Sequence, residues 1–338
     1  MQRFALVGAG FIGTEHARNL AAHPDVDLAV VYDVDITRAG ALAARHGARS
    51  TTSVDEAFDP DAVDAVLIAS STDTHADNLR RAVDAGLAVL LEKPIDLALD
   101  GAVVAARHAL QRRARVMVDF NRRFDRDHAQ LRRVVAAGDI GAVQLVQLSS
   151  RGPAVPPLSY VAVSGGQMRD QGVHFFDLAR WLAGEDPVEV FAVGSALAEP
   201  RLREYDDVDT SAVTLRLASG ALVQVDCVRR IGYGYDERVE VLGAAGLVES
   251  GRHRTGHVLR YSAGAIIEDG LDAGWFERAR PTYAAALGHF VDALEGRGQI
   301  GPTLVDGVKA QAIAEAATAS LRSGRAEPVV YPRLQVAP

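Results

Sequence analysis

In the first third of the chain, short uninterrupted apolar runs alternate with stretches whose apolar residues recur every three or four positions. The runs are Phe4–Val7, Leu28–Tyr32, Ala65–Ala69, Ala88–Leu91 and Val116–Phe120, and the amphipathic stretches are Thr14–His23, Ile36–His46, Ala76–Ala85 and Asp100–Arg113. The second pattern predicts helices, and apolar runs without polar alternation predict strands covered on both faces. Their alternation predicts βαβ units and a doubly wound parallel sheet. Beyond Phe120 the pattern changes. A helix over Asp127–Ala137 leads into alternating strands at Val143–Ser150, Val188–Val193, Val213–Leu217 and Ala221–Val228, with Ser219-Gly220 as a hairpin turn between the last two. The region Tyr233–Val241, further short strands, and helices at Pro281–Leu294 and Val305–Arg322 complete the chain. The fold class is α/β. Residues 1–120 form a nucleotide-binding domain, and residues 121–338 form an α+β domain with a largely antiparallel open sheet. A cleft between the two domains is the default ligand site.

Gly8-Ala9-Gly10-Phe11-Ile12-Gly13 follows the first strand and opens the first helix. Gly8 allows a tight turn, Gly10 lets backbone approach a pyrophosphate, Gly13 permits close helix–strand packing, and the helix N-terminus offers N–H groups to an anion. Asp33 ends the second strand, where a carboxylate accepts hydrogen bonds from ribose hydroxyls and repels a 2′-phosphate. This is the Rossmann fingerprint in full context, and with no basic residue beside Asp33 it predicts NAD over NADP. Arg38 lies five positions on, inside the predicted helix. Ser70, Ser71, Thr72 and His75 follow the third strand, where capping of the next helix and cofactor contact explain the composition equally well.

Composition narrows the class. The 338 residues are 48% hydrophobic and 24% charged, as in an ordinary globular protein of about two domains. A net charge of −8 argues against a nucleic-acid partner. One cysteine, Cys227, excludes an intrachain disulfide and a cysteine-rich zinc site. No apolar run has membrane-span length, and Phe4-Ala5-Leu6-Val7 runs straight into a glycine turn without a secretory pattern, so a cytoplasmic protein is expected.

Of 36 basic residues only Lys93 and Lys309 are lysines. Lys93 stands in Glu92-Lys93-Pro94 at the carboxyl end of the fourth strand, where open α/β sheets bind ligands. There a lysine can lose its proton and an arginine cannot. In Gly165-Gly166-Gln167-Met168-Arg169-Asp170-Gln171-Gly172-Val173-His174, the double glycine is expected to start a helix. On it Asp170, His174 and Asp177 would share one stripe beside an apolar face. No Tyr-x-x-x-Lys occurs and no His or His/Glu arrangement at metal-ligand spacing stands out, so neither a short-chain dehydrogenase mechanism nor a metal is expected. The chemistry then rests on acid–base side chains and NAD.

Taken together, Gly8-x-Gly10-x-x-Gly13, Glu92-Lys93-Pro94, Asn121-Arg122-Arg123-Phe124-Asp125 and Gly165-Gly166-x-x-x-Asp170-x-x-x-His174 resemble the Gfo/Idh/MocA oxidoreductases over nearly the whole chain. Ile231-Gly232-Tyr233-Gly234-Tyr235-Asp236 makes the chain most similar to the inositol 2-dehydrogenases within that family. The resemblance implies NAD-dependent oxidation of a secondary cyclitol hydroxyl to the ketone. Other pyranoses or anhydrosugars are the alternative substrates, and a catalytically silent NAD-binding protein is the competing class. It further implies His174 as general base, Lys93 as stabiliser of the alkoxide, and Asp170 holding the substrate hydroxyl and the Lys93 ammonium in register. Arg122, Tyr233 and Tyr235 would contact substrate, while Asp177 and Arg123 are read as structural. Glu92, Lys93 and Asn121 join Gly8, Gly10, Phe11, Ile12, Gly13, Asp33, Ser70, Ser71, Thr72 and His75 as cofactor-binding candidates. The family also implies an exposed sheet face used for self-association, commonly into tetramers.

Overall fold

The computed structural model describes residues 1–334, which fall into two compact units. The first holds residues 1–124, 280–311 and 331–334; the second holds residues 125–279 and 312–330. Residues 280–311, read with the second domain from the sequence, thus pack with the first unit. Residues 335–338 of the expected second domain lie outside the described residues.

The first unit is built in chain order from β1 (Gln2–Val7), α1 (Phe11–Ala22), β2 (Val26–Tyr32), α2 (Ile36–His46), β3 (Arg49–Thr51), α3 (Val54–Ala57), β4 (Ala65–Ile68), α4 (His75–Asp84), β5 (Ala88–Glu92), α5 (Leu99–Gln111) and β6 (Val116–Asp119). The six strands pair in parallel in the order β3-β2-β1-β4-β5-β6, the doubly wound arrangement whose order reverses beside β1. Every residue of β4, β5 and β6 is buried, which is why those strands read as unbroken apolar runs. Strand β3 has too few apolar residues to show a pattern and escaped the sequence reading. Asp35 caps α2 by accepting hydrogen bonds from the Thr37 and Arg38 N–H groups, and Gly47 ends it at φ 72°.

The second unit runs through α6 (Arg126–Ala137), β7 (Val143–Arg151), α7 (Leu158–Ser164), α8 (Val173–Ala183), β8 (Pro187–Ser195), β9 (Thr210–Leu217), β10 (Leu222–Val228), β11 (Asp236–Gly243), β12 (Leu247–Ser250), β13 (Leu259–Tyr261) and β14 (Ile266–Glu268). The chain closes with α9 (Trp275–Leu294), α10 (Leu304–Ser323) and β15 (Glu327–Pro328). Seven strands form one sheet in the order β12-β11-β7-β10-β9-β8-β15, antiparallel except for the parallel β7–β10 pair. The alternation predicted for these strands is real. Val213, Leu215, Leu217, Val223 and Val225 are buried, while Thr214 and Gln224 between them are exposed on the other face. Helix α9 begins at Trp275 and not at Pro281; the proline lies inside it.

Candidate active site

Within the first unit the glycine motif forms a cradle that only glycine allows. Gly8 has φ +105°, and a Cβ there would lie 2.5 Å from the Ala69 carbonyl oxygen. A Cβ on Gly13 would collide with the Gly8 carbonyl, so α1 packs against the β1 exit as closely as backbone permits. At Gly10 a Cβ would meet nothing within 4 Å, which leaves the α1 N-terminus open to an anion. Phe11, the first residue of α1, is 64% exposed, Ile12 is half-buried and Gly13 buried. These features fit a dinucleotide.

Asp33 is buried at the end of β2, its Oδ2 accepting the Ala9 N–H at 2.8 Å and its Oδ1 the Asp35 N–H at 2.9 Å. The expectation that no basic group stands beside it is corrected. Arg38 reaches back from the first turn of α2 to lie 3.0 Å from Asp33 Oδ1. A five-residue separation looked remote in sequence, but the Asp35 cap turns the helix so that Arg38 faces the strand end.

After β4, Ser70 Oγ shares a hydrogen bond with Thr74 Oγ1 at 2.7 Å and accepts one from Asn78. Neither Ser71 nor Thr74 caps the following turn with its side chain, so capping does not account for the hydroxyl cluster. His75 is buried. Its Nδ1 meets the Pro94 carbonyl at 2.7 Å and its Nε2 the Ser70 carbonyl at 3.0 Å. Burial pushes this imidazole below its usual pKa, although both carbonyls pull it upward. A neutral ring has one N–H and donates to one of them. His75 therefore ties the β4 exit to the β5 exit.

At the β5 exit Glu92 is buried and Lys93 half-buried, with the Lys93 N–H donating to Glu92 Oε2 at 3.2 Å. Asn121 is buried beyond β6; its Nδ2 donates to Thr282 Oγ1 at 2.8 Å, while its Oδ1 has no hydrogen-bond partner among the described residues. That unsatisfied acceptor suits a ligand N–H. Arg123, read as structural, pairs with Asp306 at 3.0 Å.

In the second unit Gly165 and Gly166, at φ +79° and +86°, separate α7 from a π-helical turn over Met168–Gly172 that runs into α8. The expected regular helix from the double glycine is corrected: Asp170 sits in the π turn and His174 in the first turn of α8, so the simple i, i+4 stripe does not apply. Such a turn inserts a residue and re-aims side chains. Asp170 Oδ1 accepts from the Tyr160 hydroxyl at 2.9 Å, and Oδ2 lies 3.3 Å from Arg229. Arg229 is buried and also binds Asp207 at 2.7 Å, whose Oδ1 accepts the Gln167 N–H. His174 is nine-tenths buried and Asp177 wholly so. Tyr160, Arg229 and Asp207 escaped the sequence reading, because partners 10 to 59 residues away leave no local signature. Tyr233, half-exposed, donates to Asp236 Oδ2 at 2.9 Å. Tyr235 is buried and donates to Glu237 Oε2 at 2.5 Å.

A parallel nucleotide-binding sheet with a glycine cradle and a buried acid at the end of its second strand is the framework of an NAD-dependent oxidoreductase. Residues 2–120 match the oxidoreductase-family pattern with an NAD-binding Rossmann fold, and residues 128–249 match the GFO/IDH/MocA C-terminal domain. The chain is 36% identical to an inositol 2-dehydrogenase of Rhizobium meliloti, over 96% of this chain and 98% of that protein. It is 34% identical to a myo-inositol 2-dehydrogenase of Thermotoga maritima, over 96% and 97%. The crystal structure of a myo-inositol dehydrogenase from Corynebacterium glutamicum superposes with a TM-score of 0.92 at 36% identity, covering 98% of this chain and all of that one. The chain belongs to the Gfo/Idh/MocA oxidoreductase family.

Proposed function

We propose that the protein oxidises a secondary hydroxyl of a myo-inositol-like cyclitol to the ketone with NAD. The observation that carries this reading is its end-to-end similarity, at 34–36% identity, to inositol 2-dehydrogenases. The cradle of Gly8, Gly10 and Gly13 with Asp33 would hold NAD, and bound NAD supplies the hydride acceptor. Ser71, Thr72, Glu92 and the open acceptor of Asn121 would add contacts to it, and His75 holds two of the contributing loops in place. His174 takes the hydroxyl proton, the general-base task that imidazole side chains perform most often. The Lys93 ammonium stabilises charge developing on the oxygen. Asp170, paired with Arg229 and oriented by Tyr160, holds the substrate hydroxyl in register. Arg122, Tyr233 and Tyr235 complete the substrate contacts, Tyr235 through the acceptor capacity its hydroxyl keeps.

A panel of cyclitols and aldoses, assayed by NADH formation, tests the substrate class. Cyclitols should be preferred; a faster aldose would move the substrate to a pyranose, and NAD binding without turnover on any polyol would make the protein a silent binder. With the preferred substrate, Lys93→Ala should lose about 10²-fold in turnover with little change in NAD affinity, and Lys93→Arg should rescue it poorly. Oxidation by the wild type should rise through an apparent pKa of about 6–8, a limb that His174→Ala should lack. An unchanged limb in His174→Ala would move the base elsewhere.

The same reading includes a homotetramer formed through the outer face of the second unit's sheet. Phe191, Val193 and Leu222 there are 41–50% exposed, more apolar surface than a solvated sheet face needs. Among the described residues no helix is long and apolar enough to cross a membrane. A cytoplasmic site of action fits the single buried cysteine and the NAD requirement.

A further inference from the structure

Beneath the β5 and β6 exits of the first unit, three titratable side chains from distant parts of the sequence come together. His16 on α1, Glu92 on β5 and Asp119 on β6 are all buried and place ligand-type atoms within 4.8 Å of one another. His16 Nε2 is 2.9 Å from Glu92 Oε1 and 3.7 Å from Asp119 Oδ2. Asp119 is 1% exposed, and neither carboxylate oxygen has a hydrogen-bond partner among the described residues. An ionised carboxylate with no donor, buried beside a second carboxylate, is the arrangement physical chemistry penalises most.

We propose that His16, Glu92 and Asp119 form a buried proton-holding site, in which Asp119 remains a neutral carboxylic acid at neutral pH. Glu92 carries the site's one negative charge, and a neutral His16 donates its Nε2 hydrogen to it. Burial first, and the Glu92 charge second, hold the Asp119 carboxyl well above the usual carboxylate range. The other charged or titratable groups near the site do not reverse this. Tyr283 of α9 stands edge-on to His16 at 5.3 Å, and its phenol is pushed up by burial first and by the Glu92 charge second. Glu15 of α1 adds negative charge and Arg122 positive charge at Tyr283, while His75 of α4 is held neutral by burial and Lys93 lies beyond Glu92. The spacing alone would admit a cation, but the imidazole nitrogen turned to the carboxylates is already hydrogen-bonded to Glu92. Glu92 in turn accepts the Lys93 N–H, so the site also fixes the peptide that carries the lysine.

The sign of the pH effect follows. An acid whose folded pKa is raised keeps a proton that the unfolded chain releases above about 3.8, so its contribution is complete below that value and is lost as pH rises toward the folded pKa. Asp119→Asn, which cannot ionise, should gain in melting temperature relative to wild type as pH rises from 4.5 to about 8, by about a few degrees per pH unit. Infrared spectra of the wild type at neutral pH should show the carbonyl stretch of a neutral carboxylic acid, and that band should vanish in Asp119→Asn. Absence of the band in the wild type overturns the proposal, whatever the variant's folding. So does a band that survives in Asp119→Asn, or a melting temperature that zinc raises in the wild type alone, since the cluster would then be an ion site.

Discussion

Asp33 shows how one side chain can be both structural and selective. It holds the Ala9 and Asp35 N–H groups and carries Arg38 at 3.0 Å, so its substitution frees a guanidinium beside the ribose position. Asp33→Ser should weaken NAD, remove the repulsion of a 2′-phosphate and let Arg38 pair with it. The NADP-to-NAD ratio of kcat/KM should rise by at least about tenfold, equivalent to one ion pair's worth of free energy. Arg38→Ala added to Asp33→Ser should cancel most of that gain; if the double variant keeps it, another group reads the phosphate. The glycines, Asp33 and Lys93 were legible because their chemistry is tied to local position at strand ends. Arg38, Tyr160, Arg229 and the His16–Glu92–Asp119 cluster were not, because each gains its meaning from a partner that only the fold supplies.

Elements follow the same division. The strands of the first sheet were legible because burial on both faces requires unbroken apolar runs, and those of the second because one solvated face imposes alternation. What failed was short or irregular: β3, α7, the β13–β14 hairpin and the π turn, where an added residue breaks the helical period on which the stripe of Asp170 and His174 rested. The link between the turn after β6 and the start of α10 is a further feature only the structure gives. Burial opposes ionisation of Asp306, yet the Arg123 charge and the Thr303 hydrogen bonds bring it down to about 2. A lowered acid contributes stability above its unfolded value near 3.8 and loses it as pH falls through about 2. Asp306→Asn should therefore cost about 2 kcal/mol at neutral pH, with the gap from wild type narrowing below about pH 4. Urea unfolding across that range measures it, and a gap independent of pH would assign the loss to packing.

At the scale of the whole molecule, the first unit draws on separate stretches of chain. Its core places Phe4 of β1 edge-on to Phe290 of α9, with ring centres 6.3 Å apart, and includes Ala286, Leu287 and Val291 from the same helix. Fully burying Leu287, Phe290 and Val291 contributes roughly 1.5–3 kcal/mol each, a sum comparable to the entire net stability of a domain. A fragment of residues 1–124, which also lacks the Thr282 partner of Asn121 and the Asp306 partner of Arg123, should show no cooperative unfolding transition by circular dichroism. A sharp transition in that fragment would show that α9 decorates a core already complete. The late arrival of α9 also sets an order of events on the ribosome. A nascent chain that has exposed the whole glycine cradle must wait for more than 250 further residues before Phe290 can emerge to close the core beneath it. During that interval the strands best suited to bind NAD are also those most in need of a chaperone.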